Sequence, residues 1–69
     1  MQLSARNQLN ASVEAVSRGE VMSTVRVALP DGQKITAAIT LEAVDELAFA
    51  PGDSVVVVIK ATEVMLAKP

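Results

Sequence analysis

The chain has 69 residues and a formal charge of −2, from six basic and eight acidic side chains, with no cysteine and no histidine. That excludes disulfides, the usual zinc sites, thiol nucleophiles and imidazole bases. Mild acidity with a single aromatic, Phe49, excludes the basic stacking surface of a nucleic-acid binder.

Met1–Asn7 is a short polar lead. From Gln8 the apolar positions alternate through Leu9, Ala11, Val13 and Ala15, the period of a strand with one buried face. Ser17-Arg18-Gly19-Glu20 reads as a turn in which Gly19 is available for positive φ. A second strand follows, with Val21, Ser23, Val25, Val27 and Leu29 on one face. Pro30-Asp31-Gly32 closes it in a turn whose proline presets φ. The third run, Gln33 to Thr40, places Ile35, Ala37 and Ile39 together, and its β-branched content supports a strand.

The period then changes. Leu41, Val44 and Leu47, extended by Phe49, fall at helical spacing, with Thr40 as N-cap and Glu42 suited to the helix dipole. A helix of about seven residues does not survive alone, so it is expected to plug an opening or a barrel end. After the Pro51-Gly52-Asp53 turn, Ser54–Ile59 is apolar on both faces, as expected of a strand with the core on one side and a neighbouring subunit on the other. Lys60-Ala61-Thr62-Glu63 interrupts it, and Val64–Ala67 reads as a last short strand. Met22, Met65 and Phe49 are expected as packing residues.

The expected fold is therefore all-β: a small five-stranded Greek-key barrel like the oligonucleotide/oligosaccharide-binding (OB) fold, with one short helix after the third strand. An SH3-like or swapped-hairpin barrel is the alternative. The whole chain, 1–69, reads as a single domain. No apolar run approaches the ~20 residues of a membrane-spanning helix, and the start lacks the order of a secretory signal. The cytoplasm is the expected compartment, with no membrane or nucleic-acid partner. A domain this small has a marginal core of its own. Yet 51% of its residues are apolar. With disulfides and zinc absent, association with other copies is the remedy left, so an obligate homo-oligomer is expected.

The polar chemistry sits in two clusters, Ser4-Ala5-Arg6-Asn7-Gln8 and Lys60-Ala61-Thr62. A small tetrahedral dianion has only acceptor oxygens and needs paired charge and donors if it is buried. Arg6 and Lys60 supply the cations, Ser4 and Thr62 supply hydroxyls, and the backbone amides of Ala5, Asn7 and Ala61 could add to the set. Thr62 could also open a short helical turn facing the anion. The same residues also fit a solvated tail and an edge-strand lysine that blocks aggregation. Since six cations meet eight carboxylates, any anion site must be local. Glu42, Asp45 and Glu46 read as a solvated helix face, and Asp31-Gly32 and Gly52-Asp53 as turn chemistry; Asp53 lacks the neighbouring oxygen ligands of a calcium loop. Nothing here makes a catalytic set, and the chain is expected not to be an enzyme.

Four stretches together carry a family likeness: Ser4-Ala5-Arg6-Asn7-Gln8-Leu9, Ile35–Glu42, Gly52-Asp53 and Ile59–Met65. In these the chain resembles the molbindin family, the small Mop-domain proteins of the TOBE class. The resemblance implies binding of molybdate and tungstate without chemical change, as a ligand rather than a bare metal cation or resident cofactor, for storage or homeostasis of the oxyanion. It implies a hexamer, a trimer of dimers with an exchanged first strand and anions held at subunit interfaces. Ser4, Arg6, Lys60, Ala61 and Thr62 match oxyanion-contacting positions, and Thr40 matches a further hydroxyl. Ala11 stands where many relatives have glycine, so its methyl bears on the geometry of the first strand. The competing reading is a structural or regulatory assembly module whose anion site is vestigial.

Overall fold

The computed structural model describes residues 2–69; Met1, the first residue of the polar lead, lies outside the described residues. Strands β1 (Asn7–Arg18), β2 (Met22–Ala28), β3 (Lys34–Thr40) and β4 (Ser54–Ile59) form one antiparallel sheet in the order β3-β2-β1-β4. A meander of three strands with the fourth returned beside the first is the Greek-key order. β1 serves two partners: Asn7–Ser12 pairs with β4, and Ser12–Arg18 with β2.

The alternation read from β1 holds only as far as Val13. The register with β2 passes from Val13 opposite Val27 to Ala15 opposite Arg26, so Glu14 is an extra residue, a β-bulge. One extra residue reverses which side chains face inward. Val13 is buried before the bulge and Val16 half-buried after it, while Ala15, expected inside, is exposed. β1 also continues to Arg18, into the expected turn. Ala11 pairs regularly with Val55, away from the bulge. On β2 and β3 the expected faces hold from Ser23 onward: Ser23, Val25 and Val27 are buried, and Ile35, Ala37 and Ile39 half-buried, while Val21, expected on the β2 face, precedes the strand and is exposed.

Gly19 is needed for a different reason from the one its sequence suggests. Positive φ occurs at Gly32 (93°) and Gly52 (95°), the glycines of the two later turns. At Gly19 a Cβ would lie 2.3 Å from the Met22 carbonyl oxygen, which accepts the Gly19 N–H at 3.0 Å. The glycine supplies space for a close backbone approach. In the Pro30 turn, Asp31 accepts the Gln33 backbone N–H at 3.1 Å and the Gln33 side-chain amide at 2.7 Å. Those two bonds, the backbone one foremost, lower the Asp31 pKa. This contribution to folding is therefore present at neutral pH and is lost as pH falls through the lowered value.

Thr40 caps helix α1 (Leu41–Leu47), its hydroxyl accepting the Ala43 N–H at 3.1 Å. Val44 is the plug, 1% exposed among Val13, Val25 and Val27, and Phe49 packs partly against this cluster. Leu47, expected on the buried face, is exposed, because the helix stops there, with Ala48 in the left-handed region at φ 51°.

The fifth strand does not form among the described residues. Ala61–Glu63 makes a single 3-10 turn, and the chain from Val64 on has no ladder partner. The turn satisfies its carbonyls locally and carries the segment off the sheet, leaving Met65 92% and Leu66 94% exposed. Met22 is likewise exposed, so of the three expected packing residues only Phe49 packs. The barrel is correspondingly open. β3 and β4 are free edges, and the apolar cleft lined by Val25, Ile35, Ile39, Phe49, Val55 and Val57 has a volume of about 230 Å³. On β4, Val55, Val57 and Ile59 turn towards the core, while Val56 and Val58 face outward, exposed.

Ser23 is 2% exposed and its Oγ has no hydrogen-bond partner. A buried unpaired hydroxyl is destabilising by about 1–3 kcal/mol. Ser23→Ala is therefore expected to raise the urea midpoint, by about 1 kcal/mol of stability once the small loss of packing is included. A lower midpoint would mean that the hydroxyl has a partner in solution.

Candidate functional site

The two polar clusters lie at the ends of adjacent strands. β1 begins at Asn7 directly opposite Ile59, the last residue of β4. Ser4–Arg6 therefore precede the first rung of this ladder, and Lys60–Thr62 follow it. The rung is reinforced by a side chain: Asn7 Nδ2 donates to the Ile59 carbonyl at 3.2 Å. Arg6 and Lys60 are the residues immediately beyond that last rung, one at the end of each strand. Neither forms an ion pair among the described residues, whose ion pairs are Arg18–Asp45 and Lys34–Glu14.

Lys60 also precedes the 3-10 turn, in which its carbonyl accepts the Glu63 N–H at 2.9 Å and that of Ala61 accepts the Val64 N–H at 3.3 Å. Ser4, Arg6, Lys60, Ala61 and Thr62 are exposed, and Ala5 and Asn7 half-buried. In water a charge pair at 4 Å is worth only about 1 kcal/mol. Two exposed cations hold a dianion weakly unless something else excludes solvent from it.

Thr40 is not brought to this cluster within one chain. It pairs with Met22 at the far end of the sheet, beyond the Arg18 end of β1, whereas Arg6 precedes its Asn7 end. Its hydroxyl is engaged as the cap of α1, beside Glu20, Glu42, Asp45 and Glu46, surroundings that disfavour an anion. Those carboxylates do not form a cation site either. Asp45 pairs with Arg18, and no cluster able to hold a metal ion occurs among the described residues. Asp53 accepts the Ala50 N–H at 2.9 Å, a turn contact as expected. Gln8 was not among the expected site residues, yet its Nε2 donates to the Ala5 carbonyl at 3.0 Å; its place in the motif was visible, its partner was not.

The TOBE-domain family model matches residues 3–66. Molybdenum-pterin-binding protein 3 of Clostridium pasteurianum is 39% identical over 66 residues, which are 96% of this chain and 97% of that protein. The chain belongs to the TOBE-domain family, in its molbindin branch. Beyond these small relatives, this TOBE domain is 46% identical over 65 residues to the molybdenum transport protein ModE of Herbaspirillum seropedicae. The match takes in 94% of the chain but only about a quarter (24%) of the length of ModE. Among solved structures, the cytoplasmic molybdate-binding protein ModG, in a form with molybdate bound, superposes with a TM-score of 0.95 at 45% identity. It covers all of this chain, which covers 49% of ModG. No helix among the described residues is long and apolar enough to cross a membrane.

Proposed function

We propose that this TOBE domain binds molybdate, and tungstate with it, without chemical change, in an intracellular storage or buffering role. The observation that carries the reading is the juxtaposition of Arg6 and Lys60, cations without ion-pair partners, across the end of the β1–β4 ladder. Ser4 and Thr62 add hydroxyls, and the backbone amides of Ala5 and Ala61 complete a donor shell for a tetrahedral dianion, while the Asn7 N–H, expected in that shell, faces the Ile59 carbonyl in the ladder. The relatives' molybdenum-related names and the molybdate bound in ModG support the same ligand.

Exposure of the cluster argues that the site is finished by another copy. The open sheet edges, the exposed Val56 and Val58 and the unpaired Val64–Ala67 leave apolar surface that a small domain buries by association. A hexamer built as a trimer of dimers, with the anion at subunit interfaces, meets both needs. Exchange of β1 between copies would keep every rung of its pairing with β4, since a swapped strand makes the same contacts with a different chain. In such an assembly Thr40 joins the site only from a neighbouring copy.

Calorimetric titration with molybdate, with sulfate as competitor, tests the reading. Saturable heat at micromolar to millimolar molybdate is expected; none would remove the proposal. Discrimination from sulfate should come from pocket size, the charge and geometry being alike. A second reading, a structural or regulatory assembly module with a vestigial anion site, draws on the match of this domain to part of a longer protein, the molybdenum transport protein ModE. It predicts an oligomer indifferent to molybdate by native mass spectrometry, whereas an interface site predicts one that molybdate stabilises.

A further inference from the structure

The β1–β4 ladder ends at Asn7–Ile59, the end of both strands, although the chain continues past it on both sides, and the hydrogen bonds show where the next rung is lost. In an antiparallel pair the hydrogen-bonded positions recur every second residue. Their phase is fixed at the other end of β1, where the Val13 N–H donates to the Asp53 carbonyl at 2.8 Å. Stepping by two along the register gives Ala11 with Val55, Leu9 with Val57 and Asn7 with Ile59. The next rung would join Ala5 to Ala61. Neither carbonyl is offered to the other strand. That of Ala5 accepts Gln8 Nε2 at 3.0 Å, and that of Ala61 accepts the Val64 N–H at 3.3 Å.

The geometry points to Gln8 as a positioning residue that unzips the ladder at Ala5–Ala61, holding the backbone N–H groups of both alanines available to the oxyanion. The inference rests on the molybdate reading above and adds to it a residue that touches no ligand. Had the rung closed, each N–H would be spent on the opposite carbonyl. Arg6 and Lys60 would then sit on a continuous ladder whose peptide donors were already used. With the Ala5 carbonyl turned to Gln8, the strands part after Asn7–Ile59, and the two cations flank a gap edged by free peptide donors. Asn7 Nδ2 on the Ile59 carbonyl fixes where the parting begins. The alanines suit this position because a small side chain lets an anion reach the main chain.

The test is Gln8→Met, which keeps the length of the side chain and removes its donor. Molybdate titration of the variant and the wild type is paired with amide hydrogen exchange at Ala61 in the absence of ligand. The variant is expected to bind molybdate about tenfold more weakly, the loss anticipated when hydrogen bonds to a charged group are withdrawn. Its Ala61 amide is expected to become protected without ligand, as the rung closes, whereas in the wild type that amide is protected only when molybdate is present. A merely structural role for Gln8 would not give an amide that gains protection when a hydrogen bond is removed. Wild-type affinity in Gln8→Met, or an Ala61 amide that stays unprotected in it, overturns the inference. If the wild type itself gives no heat with molybdate, the oxyanion reading fails and this inference with it. Heat from the wild type and equal heat from the variant sink this inference alone.

Discussion

Arg6→Ala and Lys60→Ala should each weaken molybdate binding by well over tenfold. A dianion withdrawn from water is tolerated only where its charge is matched, and these two cations stand just beyond the last rung of the β1–β4 ladder with no carboxylate partner among the described residues. Removing one leaves the ligand short of a charge partner, a loss that typically exceeds 2 kcal/mol at a desolvated site, roughly thirtyfold in affinity. The control is Arg26→Ala. Arg26 lies on β2 opposite Ala15 and Thr36, away from both clusters, and changes the net charge by the same amount. Binding should survive it. If all three variants lose affinity alike, attraction is a matter of overall charge. If Arg6→Ala or Lys60→Ala binds like the wild type, that residue leaves the site.

Gly19→Ala should be among the most destabilising single methyl additions in the chain. The added carbon would stand 2.3 Å from the Met22 carbonyl oxygen. That atom is backbone, in a hairpin held by the Gly19 N–H, and cannot rotate away as a side chain can. Relief requires the turn to open, at about 2–3 kcal/mol by analogy with overpacked cores. Such a loss is a large fraction of the stability of a small domain. Urea unfolding at one fixed protein concentration, necessary if the chain associates, should show the midpoint fall. An unchanged midpoint would mean that the turn accommodates a side chain. Replacing Gly32 or Gly52 would be unfavourable for the other reason, positive φ with open space around the Cβ position.

The contrast between these glycines shows what the sequence could and could not reveal. Period-two runs located β2 and β3, a continuous apolar run after the Pro51 turn located β4, and the change to helical spacing placed α1 and its Thr40 cap, because those signals are local. The bulge at Glu14 left no such signal. Val13, Ala15 and Val16 are all apolar, so either parity looked acceptable, and only the Val27 and Arg26 partners decide it. The terminal strand failed for a related reason. Val64-Met65-Leu66-Ala67 has a strand's composition, but a strand also needs an edge to pair with, and within one chain the 3-10 turn leads away from both.

The candidate site was legible as chemistry and not as geometry. Ser4, Arg6, Lys60 and Thr62 stood out as donors in a chain poor in them. That they stand at adjacent strand ends depends on the Asn7–Ile59 pairing, 52 residues apart in sequence. The same pairing separates Thr40, whose hydroxyl type fits an oxyanion but whose place, at the opposite end of β1, does not within one chain. Gln8 stands in the same motif, but an exposed glutamine at the start of a strand shows no role until its bond to the Ala5 carbonyl is seen.

The position of the bound anion decides whether Arg6 and Lys60 hold it. Crystals grown with molybdate and measured near the molybdenum absorption edge would place it directly by anomalous scattering. The expected result is a peak between the Arg6 guanidinium and the Lys60 ammonium, within hydrogen-bond reach of Ser4, Thr62 and the Ala61 N–H, with solvent excluded by a second copy. A peak elsewhere with this cluster empty, or no ordered molybdenum at saturating concentration, would contradict it.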